Sequence, residues 1–198
     1  MQALTLPTYL TLARMGLAVL VVVALLYFPT AAGAWTAAVL FAVASVLDFL
    51  DGYLARRLGQ ESDLGRMLDP ISDKVLVIAG LAAVMVRSEH VLWLMPPFLV
   101  IVFREFLIAG LREYLANVET ALPSSIVAKY KTSVQLLAVL VLLVAEAGTE
   151  SRELDMSGWD GLSLLGAGLL WVAAILTVIS GVGYLRGTIG KGKGTFRQ

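Results

Sequence analysis

The sequence predicts an all-α integral membrane bundle: six transmembrane helices, preceded by a short N-terminal interfacial helix, in a single domain over residues 1–198. Three observations predict it. Hydrophobic residues make up 59% of the chain and charged residues 15%, against about 25% charged in an average soluble domain, so the surplus apolar surface must face lipid. The apolar residues fall into runs near the ~20 residues that cross a bilayer as a helix. Short turn-forming stretches separate these runs, and no polar linker divides the chain into two blocks.

Met1 to Arg14 reads MQALTLPTYLTLAR. No basic segment precedes its apolar part and no cleavage pattern follows, so it does not read as a signal peptide. Leu6, Leu10 and Met15 form one apolar face after Pro7, which suits a short interfacial helix with Thr8 and Arg14 at the membrane surface. The first span is Leu10 to Phe28. Pro29 to Ala34, PTAAGA, is a tight turn. The second span runs from Trp35 to Arg57, followed by a loop from Leu58 to Gly65 with Gly59 as helix stop. Asp69-Pro70 reads as a cap and first-turn proline, and opens a short third span over 70–86.

Arg87 to His90 is a turn, and His90, the single histidine, is a surface residue at the opposite face of the membrane. The fourth span covers 91–116, with Pro96 and Pro97 near its start. Asn117 to Ser125 is a loop containing Pro123, and the fifth span covers 126–145. Glu146 to Asp160 is an acidic loop, the sixth span covers 161–185, and Arg186 to Gln198 is a mobile tail. Ala79, Gly80 and Ala83 permit close helix packing.

Fifteen basic residues balance fifteen acidic ones, so net charge carries no information about partners, and no nucleic acid is expected among them. Cysteine is absent, which excludes disulfides and thiolate metal sites. Distribution says more than net charge. Six spans place both termini on one side. Of the fifteen Lys and Arg residues, thirteen fall on that side and only Arg87 and Arg152 on the other. This positive-inside bias makes the thirteen-residue side, with both termini, cytoplasmic.

That side also carries DFLDGYLARRLGQESDLGRMLDPISD, from Asp48 to Asp73. Asp48 and Asp51 are three apart and Asp69 and Asp73 four apart, so each pair shares one face of a helix. Two acidic helix ends facing each other are unfavourable unless cations fill the space, and hard divalent cations prefer oxygen ligands. With no His or Cys nearby, zinc is disfavoured. A single Asp at such a place is most simply a cap or a solvated loop residue. Four of them with Gly52, Ala55, Arg56 and Gly65 at fixed spacing are not explained that way.

At every defined position, Asp48-x2-Asp51-Gly52-x2-Ala55-Arg56-x8-Gly65-x3-Asp69-x3-Asp73 resembles the signature of the CDP-alcohol phosphotransferases. Those are membrane enzymes that move a substituted phosphate from a CDP-linked donor to an alcohol and release CMP. The resemblance implies two divalent cations, magnesium or else manganese, held by Asp48, Asp51, Asp69 and Asp73. Asp73 is then also the general base for the acceptor hydroxyl. Gly52, Ala55, Arg56 and Gly65 bind the CDP donor, the small side chains letting nucleotide approach the backbone and Arg56 meeting phosphate. A homodimer in the cell inner membrane is also implied.

REFLIAGLREY, KYKTSVQ and LPTYLTLAR resemble the branch of that family whose substrates are CDP-diacylglycerol and sn-glycerol 3-phosphate. The likeness covers Leu6 to about Leu137, and the last span shares only hydropathy. It implies an acceptor-phosphate pocket made by Arg104, Arg112, Lys129 and Lys131. The bland alternative for these four is membrane-surface anchoring against lipid headgroups. Glu105 and Arg112, seven apart, share a helix face and suit a structural pair. Two other functions stay open: a family member using inositol phosphate, serine or phosphatidylglycerol as acceptor, and a cation transporter whose aspartates bind its ion. Transport sites lie near the bilayer midplane, whereas these aspartates sit at helix ends.

Overall fold

Every regular element among the described residues is an α-helix: α1 (Leu6–Tyr27), α2 (Ala31–Leu58), α3 (Asp63–Arg87), α4 (Val91–Ala116), α5 (Ile126–Gly148) and α6 (Gly161–Gly192). The computed structural model describes residues 6–58, 63–116, 126–148 and 160–192; the side chains at 6–7, 51–56, 58, 63–64, 66, 69–70, 114–116, 126–129 and 185–192 lie outside that description. Five of the six helices, all but α3, are long and apolar enough to cross a membrane. The polar residues of α3 cluster in its first half, from Asp63 to Lys74, and leave Val75 to Val86 as its apolar part, about 18 Å at 1.5 Å per residue. The chain is an integral membrane protein.

Besides the α1–α2 turn, where α2 starts at Ala31 and not Trp35, four boundaries differ from the sequence expectation. The interfacial helix is not a separate piece, because α1 runs unbroken from Leu6. Pro7 falls in its first turn, where a missing N–H costs nothing, and no breaker follows before Pro29. Thr8, Thr11 and Arg14, three apart, form a polar stripe turned into the bundle, with exposures of 0%, 1% and 1%. All three are covered by neighbouring helices. Second, α3 begins at Asp63, so Gly65 and Asp69-Pro70 lie inside it rather than in a loop and at a cap. A proline inside a helix costs roughly 3 kcal/mol, which packing of α3 along α1 and α5 offsets. Third, Glu146 belongs to α5 and not to the following loop, where it pairs with Arg87 at 3.8 Å. Fourth, residues 186–192 of the expected tail continue α6, since extending a formed helix adds one hydrogen bond per residue fixed. Gly59, the loop 117–125 and residues 193–198 lie outside the described residues.

The α1–α2 turn is tighter than expected. Thr30 caps α2: its Oγ1 accepts from the Gly33 N–H at 3.2 Å, and its carbonyl from the Ala34 N–H at 3.0 Å. Only glycine fits at position 33. A Cβ there would lie 2.8 Å from Phe28 Cβ and 3.0 Å from the Ala24 carbonyl, with the Phe28 carbonyl closer still. Gly33→Ala is therefore expected to destabilise the protein by about 1–3 kcal/mol by overpacking against backbone that cannot rotate away. A lowered melting temperature in detergent, with Ala32→Gly as a comparison at the neighbouring position, checks this.

Helix α6 packs on α5 and α4, α1 packs on α2 and α3, and α2 and α3 both reach α5. Phe41 of α2 and Leu76 and Leu81 of α3 meet Val139 and Leu143 of α5 in a core that also takes in Leu25, Leu94, Ile101 and Leu170. Gly80 is a point of close approach, where an added Cβ would lie 2.7 Å from Val139 and 2.9 Å from Phe41. The small residues Gly80 and Ala83 thus serve packing within the bundle; Ala83 is 1% exposed. Tyr9, Leu20, Trp93, Phe103, Phe106 and Ile175 point outward, an apolar surface that water would not tolerate over such an area and that lipid accepts.

Candidate active site

Helices α2 and α3 carry the aspartates in the register their spacing requires, Asp48 and Asp51 on α2 and Asp69 and Asp73 on α3. Asp48 and Asp73 meet around a third residue, Arg14 of α1. One guanidinium nitrogen, Nη1, pairs with Asp48 Oδ1. The other, Nη2, lies 3.1 Å from Asp73 Oδ1 and donates to Ser72 Oγ. Two carboxylates from different helices thereby converge on one cation. The side chains of Asp51, Ala55, Arg56 and Asp69, and the surroundings of Gly52, lie outside the described residues. Gly65 stands in the first turn of α3, on the same segment.

Among the described residues, no group of three or more His, Cys, Asp or Glu is gathered to hold a metal ion; Asp51 and Asp69 are not among those described. The donor chemistry fits a hard divalent cation nonetheless. Asp48 and Asp73 offer oxygen only, and their side chains are 27% and 49% exposed, so the cluster is open on one side. Magnesium and manganese favour such ligands.

A second polar group adjoins the first. Glu105 of α4 pairs with Lys131 Nζ of α5 and lies 3.3 Å from Nη1 of its neighbour Arg104. Arg104 Nη2 donates to Ser180 Oγ of α6 at 2.8 Å, and its stem crosses the helix at Gly181, where a Cβ would lie 3.3 Å from Arg104 Cγ. Lys131 is 5% exposed. One turn further along α5, Gln135 Nε2 donates to Thr177 Oγ1 at 3.1 Å. Glu105 and Lys74 lie within electrostatic range of Asp73, and Lys74 within range of Lys131, so the two groups form one polar region.

Arg112 is different. It is exposed, its Nη2 donates to Tyr184 Oη at 2.8 Å, and its guanidinium stands 5.6 Å from the centre of the Tyr184 ring. The face shared by Glu105 and Arg112 does not join them, because Glu105 turns to Lys131 and Arg104. Of the four expected phosphate-binding cations, Arg104 and Lys131 are brought together on one carboxylate, Arg112 of α4 stands apart against Tyr184 of α6, and the Lys129 side chain lies outside the described residues. At the far end of α3, Arg87, Glu89, His90, Glu146 and Asp160 gather, about 21 Å from Asp73 along the helix at 1.5 Å per residue. His90 is thus remote from the aspartates, as expected.

Arg14, Ser72, Glu105, Ser180 and Tyr184 were not legible as site residues. Arg14 carried a usable signal, a lone charge in an apolar run with no partner in helical reach, which in a membrane helix calls for a partner elsewhere. Ser180 and Tyr184, four apart on one face of α6, carried a weaker one.

A membrane bundle whose Asp48-to-Asp73 segment bears these aspartates beside a basic group defines a class of protein. The chain belongs to the CDP-alcohol phosphatidyltransferase family, whose description its residues 4–179 match. Relatives sharpen the class. The chain is 39% identical over 183 residues, 91% of this chain and 93% of the relative, to the CDP-diacylglycerol–glycerol-3-phosphate 3-phosphatidyltransferase of Rickettsia bellii (strain RML369-C). Proteins of the same name from Cereibacter sphaeroides and Haemophilus influenzae are 36% and 34% identical, each alignment covering more than 90% of both chains.

Proposed function

We propose that this chain transfers the phosphatidyl group of CDP-diacylglycerol to sn-glycerol 3-phosphate, forming phosphatidylglycerophosphate and CMP. The observation that carries it is that Asp73 lies within electrostatic range of Glu105, the carboxylate on which Arg104 and Lys131 converge: a carboxylate able to take a proton shares one polar region with cations able to take a phosphate. The names of the relatives agree. Asp73 accepts the proton of the acceptor hydroxyl as that oxygen attacks the phosphorus bonded to diacylglycerol. The new P–O bond forms, the pyrophosphate bond breaks, and CMP leaves with the bonding electron pair. The half-exposed position of Asp73 lets the proton pass on to water. Two divalent cations held by Asp48, Asp51, Asp69 and Asp73 would neutralise charge on the pyrophosphate.

Arg104, Arg112, Lys129 and Lys131 serve the acceptor phosphate. Among the described residues of this group Arg112 is the exposed cation, aimed by Tyr184. For Lys131 to bind phosphate, the anion must share it with Glu105; it is the basic residues of this group that disfavour acceptors without phosphate. Gly52, Ala55, Arg56 and Gly65 serve the donor. The charge asymmetry of the loops supports a cytoplasmic site and cytoplasmic termini in a bacterial-type inner membrane, and family likeness supports a homodimer.

The test is a purified-protein assay with CDP-diacylglycerol and a panel of acceptors, the products identified by mass. Glycerol 3-phosphate is expected to give product and equimolar CMP. Product from inositol phosphate, serine or phosphatidylglycerol with none from glycerol 3-phosphate would reassign the acceptor, and cation uptake into vesicles without CMP release would replace the enzyme by a transporter. Within that assay, Arg112→Ala or Lys131→Ala is expected to raise KM for glycerol 3-phosphate by roughly tenfold or more, as for loss of a charged hydrogen bond of about 1.5–3 kcal/mol, with a smaller change in KM for CDP-diacylglycerol. The reverse pattern would assign these residues to the donor or to the membrane surface.

A further inference from the structure

We propose that Arg14 is a positioning residue of the reaction centre, whose guanidinium holds Asp48 and Asp73 at one fixed separation. The argument begins with cost. A charged side chain inside a membrane bundle is expensive and persists where it is paired. Arg14 is 1% exposed, and its partners include carboxylates from two other helices, Asp48 on α2 and Asp73 on α3.

Its shape matters as much as its charge. The guanidinium is planar and rigid, and its terminal nitrogens are held at a covalent spacing. Nη1 takes Asp48 while Nη2 takes Asp73 and the Ser72 hydroxyl. That one group therefore sets how far apart the two carboxylates lie and prevents their mutual repulsion from parting α2 and α3. A lysine would supply the same charge from a single nitrogen on a flexible stem, without the fork. Burial keeps Arg14 from reaching substrate, so it acts through the aspartates it orients.

This role deepens the function proposed above and rests on it, and it separates geometry from charge. Arg14→Lys keeps the charge and loses the fork; Arg14→Met loses both. Full-length variants are purified, checked by size exclusion and thermal melting, and measured for kcat, for both KM values and for Mn2+ binding by the resonance signal of the free ion. Misplacement of a reacting group by about 1 Å costs on the order of 10²-fold in rate, so kcat is expected to fall about that far in both variants while neither KM follows. Mn2+ binding is expected to be unchanged in Arg14→Lys and tighter in Arg14→Met, because a positive charge beside the carboxylates has gone.

Near-native kcat in Arg14→Lys would overturn the proposal, since charge alone would then suffice. So would Mn2+ affinity that falls in step with kcat, the mark of a site that has merely unfolded. If neither Arg14 variant folds, Ser72→Ala loosens the same fork without removing charge, and an expected drop in kcat of roughly threefold to tenfold, as for one hydrogen bond, decides the matter; unchanged kcat there would count against the role. Failure of the parent reading looks different: wild-type protein would release no CMP from CDP-diacylglycerol, while the difference in Mn2+ binding between the two variants would still report on Arg14.

Discussion

Asp73→Asn is expected to lower turnover by roughly 10²–10⁴-fold, the usual worth of a positioned general base, while CDP-diacylglycerol binding changes little. Asparagine has the size of aspartate and keeps a carbonyl oxygen that can accept from Arg14 or coordinate a cation, but it takes no proton at neutral pH. Asp48→Asn is the internal control. Both aspartates pair with the same guanidinium, so both variants perturb Arg14 alike, and a difference between them reports on chemistry. Asp48→Asn is expected to weaken donor binding as well as turnover, since a residue that holds cations also holds the pyrophosphate those cations neutralise. Nucleotide affinity and product formation on the same preparations make the comparison. Near-native turnover in Asp73→Asn would remove Asp73 from the base role. Equal loss of donor binding in both would make Asp73 a ligand, with the proton leaving by another route.

Chelation of divalent cations is expected to abolish turnover altogether, and magnesium or manganese to restore it. The aspartates and the pyrophosphate are both anionic, and Arg14, although close, is already engaged by Asp48 and Asp73, so one buried guanidinium does not offset both. Calcium is expected to restore less, because it favours more ligands at longer distances than a tight pair of sites allows. Titrating each ion back into a chelator-treated, dialysed preparation and following CMP release gives the answer. Full activity in a preparation shown by elemental analysis to hold no divalent metal would end the two-cation mechanism.

How much of this was legible beforehand depends on whether a feature is local. Five of the spans were legible because each is an apolar run of membrane-crossing length, and the matching helices meet that criterion in the structure; the third was legible as a shorter apolar run. That Asp69 and Asp73 stand one turn apart on a helix was legible because spacing alone decides it, and both lie on α3. Boundaries were less so where packing outweighed a local signal. Pro70 looked like a start and lies inside α3, a helix that packs along α1 and α5. Arg186 looked like the start of a tail and continues α6.

Partners across the bundle were not legible at all. Glu105 had a cation seven residues away on its own helix face and instead takes Lys131, 26 residues further on. Arg14 read as part of an interfacial helix, with no partner named for it, and is 1% exposed between two other helices. The sequence by itself determined the helical class, the apolar lengths and the spacing of the four aspartates, because these depend on composition and on the 3.6-residue period of one helix. Only the tertiary structure decided which charges meet. In a low-dielectric bundle each buried charge must find its counter-charge wherever the packing of whole helices brings one, and that choice is made among residues far apart in the chain.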